Sequence, residues 1–211
     1  MRSRLLLVLV LPSLACPSKT PTVEPGATGS ETQADSAGSP APDAAGEPDS
    51  GEFKVPRLQR TNIGTTGLSA YLPVGFAEFS VSASEDGSQV HTGELEQGGF
   101  VYGVIALRFA APLDDDPESW EPLLISYLDY LKGQLGVTGA AGYGLGHRLD
   151  SEPSARGVID YWEDSAGTQY AVKGWVNRTH LAVLFIAGPT EYPVFNAQQL
   201  ILDGIRISPA P

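Results

Sequence analysis

The stretch that decides the fold is Phe100-Val101-Tyr102-Gly103-Val104-Ile105-Ala106-Leu107-Arg108-Phe109, followed closely by Asp114-Asp115-Asp116-Pro117-Glu118. In the first segment Val101, Ile105 and Leu107 are interleaved with Tyr102 and Val104. Both faces of an extended chain are therefore apolar, which predicts a central strand covered on both sides. Gly98-Gly99 in front of it supplies a turn. In the second segment Asp116 suits the N-cap of a helix, Pro117 its first position, and Glu118 the positive end of its dipole. Trp120, Leu124, Tyr127 or Leu128, Leu131 and Leu135 then recur every three or four residues, giving one apolar helix face. Gly136 and Gly139 close the helical region.

Working outward, strand patterns lie on both sides of this pair. Leu68–Leu72 reads as a strand ended, or held at an edge, by Pro73. Phe79, Val81 and Ala83 alternate with Ser80, Ser82 and Ser84. Asp86-Gly87 offers a tight turn, and residues 89–96 return as the hairpin partner. Beyond the helix, strands are expected at 144–149, 156–163, 168–177 and 181–187. The second and third are joined by residues 164–167, the last two by residues 178–180. A final helix is expected from near Thr190, burying Phe195, Leu202 and Ile205. Runs of strands separated by single helices predict an α+β fold: a largely antiparallel sheet flanked by helices as an α/β/α sandwich. Alternating βαβ units are missing, which argues against a doubly wound nucleotide-binding fold.

The succession Gly67-Leu68-Ser69-Ala70-Tyr71-Leu72-Pro73-Val74-Gly75-Phe76 resembles the opening strand and Pro-x-Gly-aromatic turn of PsbP-like and DcrB-like domains. Residues 182–187, a following helix and Gly204-Ile205-Arg206-Ile207 are similar to the last strand and terminal run of that group. Phe76 stands where Trp is common, and Gly204 where Ser is usual. The resemblance implies a sheet between helical layers and non-enzymatic work, as in extrinsic photosystem subunits, import factors and secretion chaperones. It transfers no binding residue to this chain.

The N-terminus has a different character. Arg2 and Arg4 precede seven apolar residues, Leu5 to Leu11, and Ala15 stands before Cys16, the single cysteine. This order of charged, apolar and small residues describes a secretory signal over residues 1–15. Seven residues make a helix of about 10 Å, too short to span a bilayer. Ser13-Leu14-Ala15-Cys16 resembles a bacterial lipobox, with Ser13 where Leu is favoured, and implies a lipid-bearing Cys16. Acyl chains there would act as the anchor, since two chains hold stably where one holds marginally. Residues 17–52 contain 6 Pro, 5 Gly, 6 Ala, 9 Ser or Thr and 7 Asp or Glu. Such a composition cannot offset the entropy of ordering, so residues 16–52 are expected to be the lipidated cysteine and a disordered tether. As a flexible coil the tether reaches about 30–36 Å. Residues 53–211 are expected to form the PsbP-like domain. These features place the protein in the cell envelope, exported and lipid-anchored. Pro17, not being acidic, leans the address toward the outer membrane.

Charge narrows the partners. The chain carries 13 Lys and Arg against 25 Asp and Glu, a net charge of −12. An acidic chain does not suit nucleic acid, whose phosphates require a basic face. Residues for catalysis do not assemble: there is no Gly-x-Ser-x-Gly elbow, and His91, His147 and His180 fall in three separate elements. His91 and Glu94 have His-x-x-Glu spacing, yet a strand would put them on opposite faces. No catalytic residue, metal ligand or cofactor site is expected. Asp114–Asp116 is explained by helix capping, and the glycine-rich run 133–146 by a flexible connection. Trp162, Trp175 and Tyr170 lie on consecutive strands. They would form an interaction surface if exposed and a packed layer if covered by a helix. Taken together, the sequence points to a lipid-anchored binding or assembly module of the envelope with a protein partner and without catalytic activity. The alternative is a carrier of a small molecule or metal ion in a pocket between sheet and helix. An enzyme of unrecognised type comes third.

Overall fold

The computed structural model describes residues 56–76, 78–188 and 201–207. Eleven strands and one long helix follow in the order β1 (Leu58–Asn62), β2 (Leu68–Pro73), β3 (Ser80–Ala83), β4 (Gln89–Gln97), β5 (Phe100–Arg108), α1 (Pro117–Leu135), β6 (Val137–Ala140), β7 (Gly144–Leu149), β8 (Glu152–Asp164), β9 (Gln169–Val176), β10 (His180–Gly188) and β11 (Arg206–Ile207). Signal, Cys16, tether and most of the expected final helix lie outside the described residues.

Every pairing is antiparallel. The large sheet runs β3-β4-β5-β10-β9-β8-β6, with β7 also on β8, and a small sheet runs β1-β2-β11. Strand β8 reaches 13 residues because β7 pairs its first half and β6 its end. The doubly apolar stretch 100–108 is β5, held between β4 and β10, so the expected central strand is present.

Alternation along β5 and β10 divides the core in two. Ile105, Leu107, Leu181 and Val183 face α1 together with Trp162, Val158 and Val172. Tyr102, Val104, Ala106, Ala182, Leu184 and Ile186 face the other way, toward Leu68, Ala70 and Leu72 of the small sheet and toward Ile201, Leu202 and Ile205. The second face is thus covered by a three-stranded sheet and a short helical end at Ile201-Leu202. The α+β class stands, with the small sheet forming part of the layer on this face among the described residues.

Helix α1 forms as its caps and spacing dictate. Asp116 accepts from the Glu118 backbone N–H at 3.1 Å, and Gly136 closes the last turn in the left-handed region (φ 65°). Trp120, Leu124, Tyr127, Leu128 and Leu131 are its buried stripe, each worth roughly 1.5–3 kcal/mol on burial. The helix lies directly on β9 at Gly174, where a Cβ would come within 2.6 Å of the Leu124 side chain. The run 133–146 is no loose connection: the helix extends to Leu135, and Val137–Ala140 is the edge strand β6.

Candidate functional site

On the face away from α1, a cavity of about 430 Å³ opens between the small sheet, β9 and the turn from β7 to β8. The carrier alternative had put a pocket between sheet and helix. This one lies between two sheets, since α1 packs directly onto β8 and β9 through Trp120, Leu124 and Leu128.

Register explains which side chains converge. Arg60 of β1 stands opposite Tyr71 of β2, and its guanidinium lies 4.1 Å from the Tyr71 ring centre. The same guanidinium donates to Ser69 Oγ at 3.3 Å and to the Gly204 carbonyl at 3.2 Å. Arg206 of β11 stands opposite Ser69, so the pleat puts it on the same face as Arg60 and Tyr71. Lys173 and Trp175 are two residues apart on β9 and share a face, with the ammonium 4.8 Å from the indole centre. Trp175 Nε1 donates to the Leu202 carbonyl at 2.9 Å and ties the segment 201–205 to β9. Gly157 on β8 makes room, because a Cβ there would come within 2.4 Å of the Trp175 ring and 2.9 Å of the His147 Cβ.

Lys173 is the buried charge of the site, its side chain 4% exposed. It ion-pairs with Asp203, and its Nζ lies 3.1 Å from His147 Nδ1. An ammonium only donates, so Nδ1 accepts. Burial, then the Lys173 charge, hold the His147 pKa below its ordinary value. Arg60, Arg148, Lys173 and Arg206 line the cavity against Asp150 and Asp203. Four of the ten Lys and Arg residues in 53–211 therefore meet at one place on an acidic chain. Among the described residues, no carboxylate forms an ion pair with Arg60, Arg148 or Arg206.

These groups suit the binding of negative charge. Ser151 and His147 both line the cavity, and among the described residues no hydrogen bond joins them; His147 Nδ1 is taken by Lys173. Among the described residues no group of three His, Cys, Asp or Glu side chains could hold a metal ion. No helix among them is long and apolar enough to cross a membrane.

The aromatic candidates are placed differently from a surface. Trp162 and Trp175 are each 2% exposed. Trp162 packs under α1, with Nε1 donating to Asp160 at 2.8 Å, and Trp175 packs in the opposite core. Tyr170 is half-buried and donates to Asp164 at 3.1 Å. Neither indole is an exposed interaction surface: α1 covers Trp162, and Leu202 and Ile205 pack in the core that holds Trp175. His91 is buried and Glu94 exposed on opposite faces of β4, as the strand reading required. His180 on β10 donates from Nε2 to the Thr66 carbonyl at 2.8 Å.

Arg60, Arg148, Lys173, Asp203 and Arg206 are not recognisable as a group in the sequence, being spread over four separate segments. One signal was available: Lys173 interrupts the apolar run Tyr170-Ala171-Val172-Lys173-Gly174-Trp175-Val176, and a charge in a covered strand needs a partner.

No family model matches the chain, and no curated protein matches it. Among solved structures, the chain is similar to the solution structure of cyanobacterial PsbP (CyanoP) from Synechocystis sp. PCC 6803, at 13% identity and a TM-score of 0.47, over 74% of this chain and 96% of that one. The α+β class rests on the strand register and the placement of α1 described above.

Proposed function

We propose that this chain is a lipid-anchored module of a bacterial cell envelope that binds a ligand or partner and does not catalyse a reaction. The observation that carries this reading is the cavity that gathers Arg60, Arg148, Lys173 and Arg206 on an otherwise acidic chain. Concave sites with a few converging polar groups are where proteins bind. Signal, lipid-bearing Cys16 and tether supply the address in this reading: membrane attachment through the N-terminal lipid.

Two measurements test the reading. Cys16→Ser is expected to move the protein from the membrane fraction to the soluble exported fraction; unchanged fractionation overturns the anchor. Capture with the full-length protein from envelope extracts is expected to return a ligand or partner that is lost on Arg148→Ala with Arg206→Ala. Retention indifferent to that pair overturns the cavity as the binding site.

A further inference from the structure

Resting on the cavity as the binding site, we propose that its ligand is a small organic polyanion: a molecule with at least two carboxylate or phosphate groups on a compact carbon frame. Charge sets the first requirement. Among the described residues that line the cavity, Arg60, Arg148, Lys173 and Arg206 stand against Asp150 and Asp203, an excess of two positive charges before His147 is counted. A dianion or trianion offsets that excess; a cation or a neutral molecule leaves it standing.

Geometry sets the second requirement. Lys173 is nearly sealed from solvent and fixed by Asp203, His147 and the Trp175 face, so it acts as a localised charge at the depth of the site. Arg60 is held against Tyr71 with its fork oriented by Ser69 and Gly204. A planar guanidinium presents paired N–H donors to a carboxylate or phosphate, and a held one loses less entropy on binding. Arg148 and Arg206 are exposed and complete the ring of donors.

Size and lining set the third. A volume of about 430 Å³ is far larger than one inorganic oxyanion needs, a water molecule's share of the liquid being about 30 Å³. Tyr71, Leu149, Trp175 and Ile205 supply apolar wall between the charged groups. Such walls suit the carbon frame of an organic acid and are wasted on a bare ion.

The test is titration of the full-length protein with citrate and with 3-phosphoglycerate, read by calorimetry and by tryptophan fluorescence. Inorganic phosphate and sodium chloride at matched ionic strength serve as comparisons. At least one organic anion is expected to saturate, inorganic phosphate to bind at least about tenfold more weakly, and chloride to give no saturable signal. Arg148→Gln and Arg206→Gln are each expected to weaken binding about ten- to a hundredfold, as loss of a charged hydrogen-bond donor does. Arg178→Gln, which removes a cation paired with Asp115 outside the cavity, is expected to leave affinity unchanged. The proposal is overturned if neither organic anion saturates, if inorganic phosphate binds as tightly as they do, or if Arg178→Gln weakens binding as much as the cavity variants. Tighter binding of an acidic peptide than of either small anion also overturns it. If fractionation and cavity-dependent capture hold while both titrations stay flat, the module reading survives and the polyanion is wrong.

Discussion

Asp160 is completely buried in the middle of β8 and satisfies its charge at four points. Oδ1 accepts from the backbone N–H groups of Gly142 at 3.0 Å and Tyr161 at 2.8 Å; Oδ2 accepts from Trp162 Nε1 at 2.8 Å and pairs with Lys132 at 2.8 Å. One carboxylate thereby joins α1, the glycine-rich run and the core indole. Asp160→Ala leaves Trp162 Nε1 without its acceptor and Lys132 with only the longer contact to Asp129 at 3.7 Å and the Tyr143 ring, and breaking a buried pair typically costs 3–5 kcal/mol. Because the Lys132 side chain is 18% exposed and can regain some water, a loss of about 3 kcal/mol is expected in urea denaturation. Asp160→Asn keeps a carbonyl oxygen for the two backbone donors but turns its NH2 toward Trp162 Nε1 and Lys132 Nζ, which only donate, so it is expected to destabilise comparably. At this scale the sequence is mute for a physical reason. Asp160 and Lys173 are visible as charges inside apolar runs, but the partners that make them tolerable come from Lys132, Asp203 and His147, distant in the chain. The binding cavity is equally hidden: Arg60, Arg148 and Arg206 are single cations on exposed positions, and only the register of β1, β2 and β11 and the turn after β7 bring them together.

The elements were legible where their signals are local. Capping and a 3.6-residue stripe define α1, and the Asp86-Gly87 and Gly98-Gly99 turns, with positive φ at each glycine, define the β3-β4-β5 meander. Strands β1, β6 and β11 carry no such signal. Leu58-Gln59-Arg60-Thr61-Asn62 is mostly polar and exists as a strand because β2 offers it an edge; Val137–Ala140 does the same on the end of β8. Their stability lies in pairing, which a single stretch of sequence does not express. Helix α1 also contains a conflict that can be measured. Pro122 sits in its sixth position, where it removes the backbone bond to Glu118 and disfavours the helix interior. Pro122→Ala is therefore expected to stabilise the protein, by about 1–2 kcal/mol once the greater freedom of the unfolded chain is subtracted. Asp116→Ala, at the cap of the same helix, is expected to destabilise by about 1 kcal/mol. Thermal unfolding of the two variants should shift in opposite directions; a shift of the same sign would mean that α1 does not limit the stability of the fold.

For the molecule as a whole, the three histidines set a common pH dependence. Burial lowers the pKa of His91; burial, then the Lys173 charge, lower that of His147; burial, with the Arg108 charge adding to it, lowers that of His180 although the Thr66 carbonyl opposes it. His91 is the extreme case, 1% exposed with neither ring nitrogen hydrogen-bonded, its ring against Gly64 and its strand between β3 and β5. In each case the folded protein favours the neutral imidazole while the unfolded chain takes up a proton near the ordinary value of about 6.5. Between those two values the unfolded state binds more protons, so stability rises with pH there and falls as the medium is acidified. Asp86, through the Ser84 hydroxyl, and Asp164, through bonds from Thr168 and Ala166 that outweigh its burial, titrate below 3.8, so they stay ionised through this window and contribute their own loss only at lower pH. Stability is therefore expected to be level above about pH 7 and to decline from about pH 6.5 toward pH 5, with Glu94, whose pKa is raised by burial and then by the Glu96 charge, opposing the decline at its acid end. His91→Met, which fills the same space with an unbranched apolar side chain, is expected to reduce that decline while leaving the cavity intact. Urea denaturation of the parent and variant at matched ionic strength measures the difference. An unchanged slope for His91→Met would assign the acid sensitivity to His147 and His180, and a flat profile in the parent would show that the buried rings gain water or partners as they protonate.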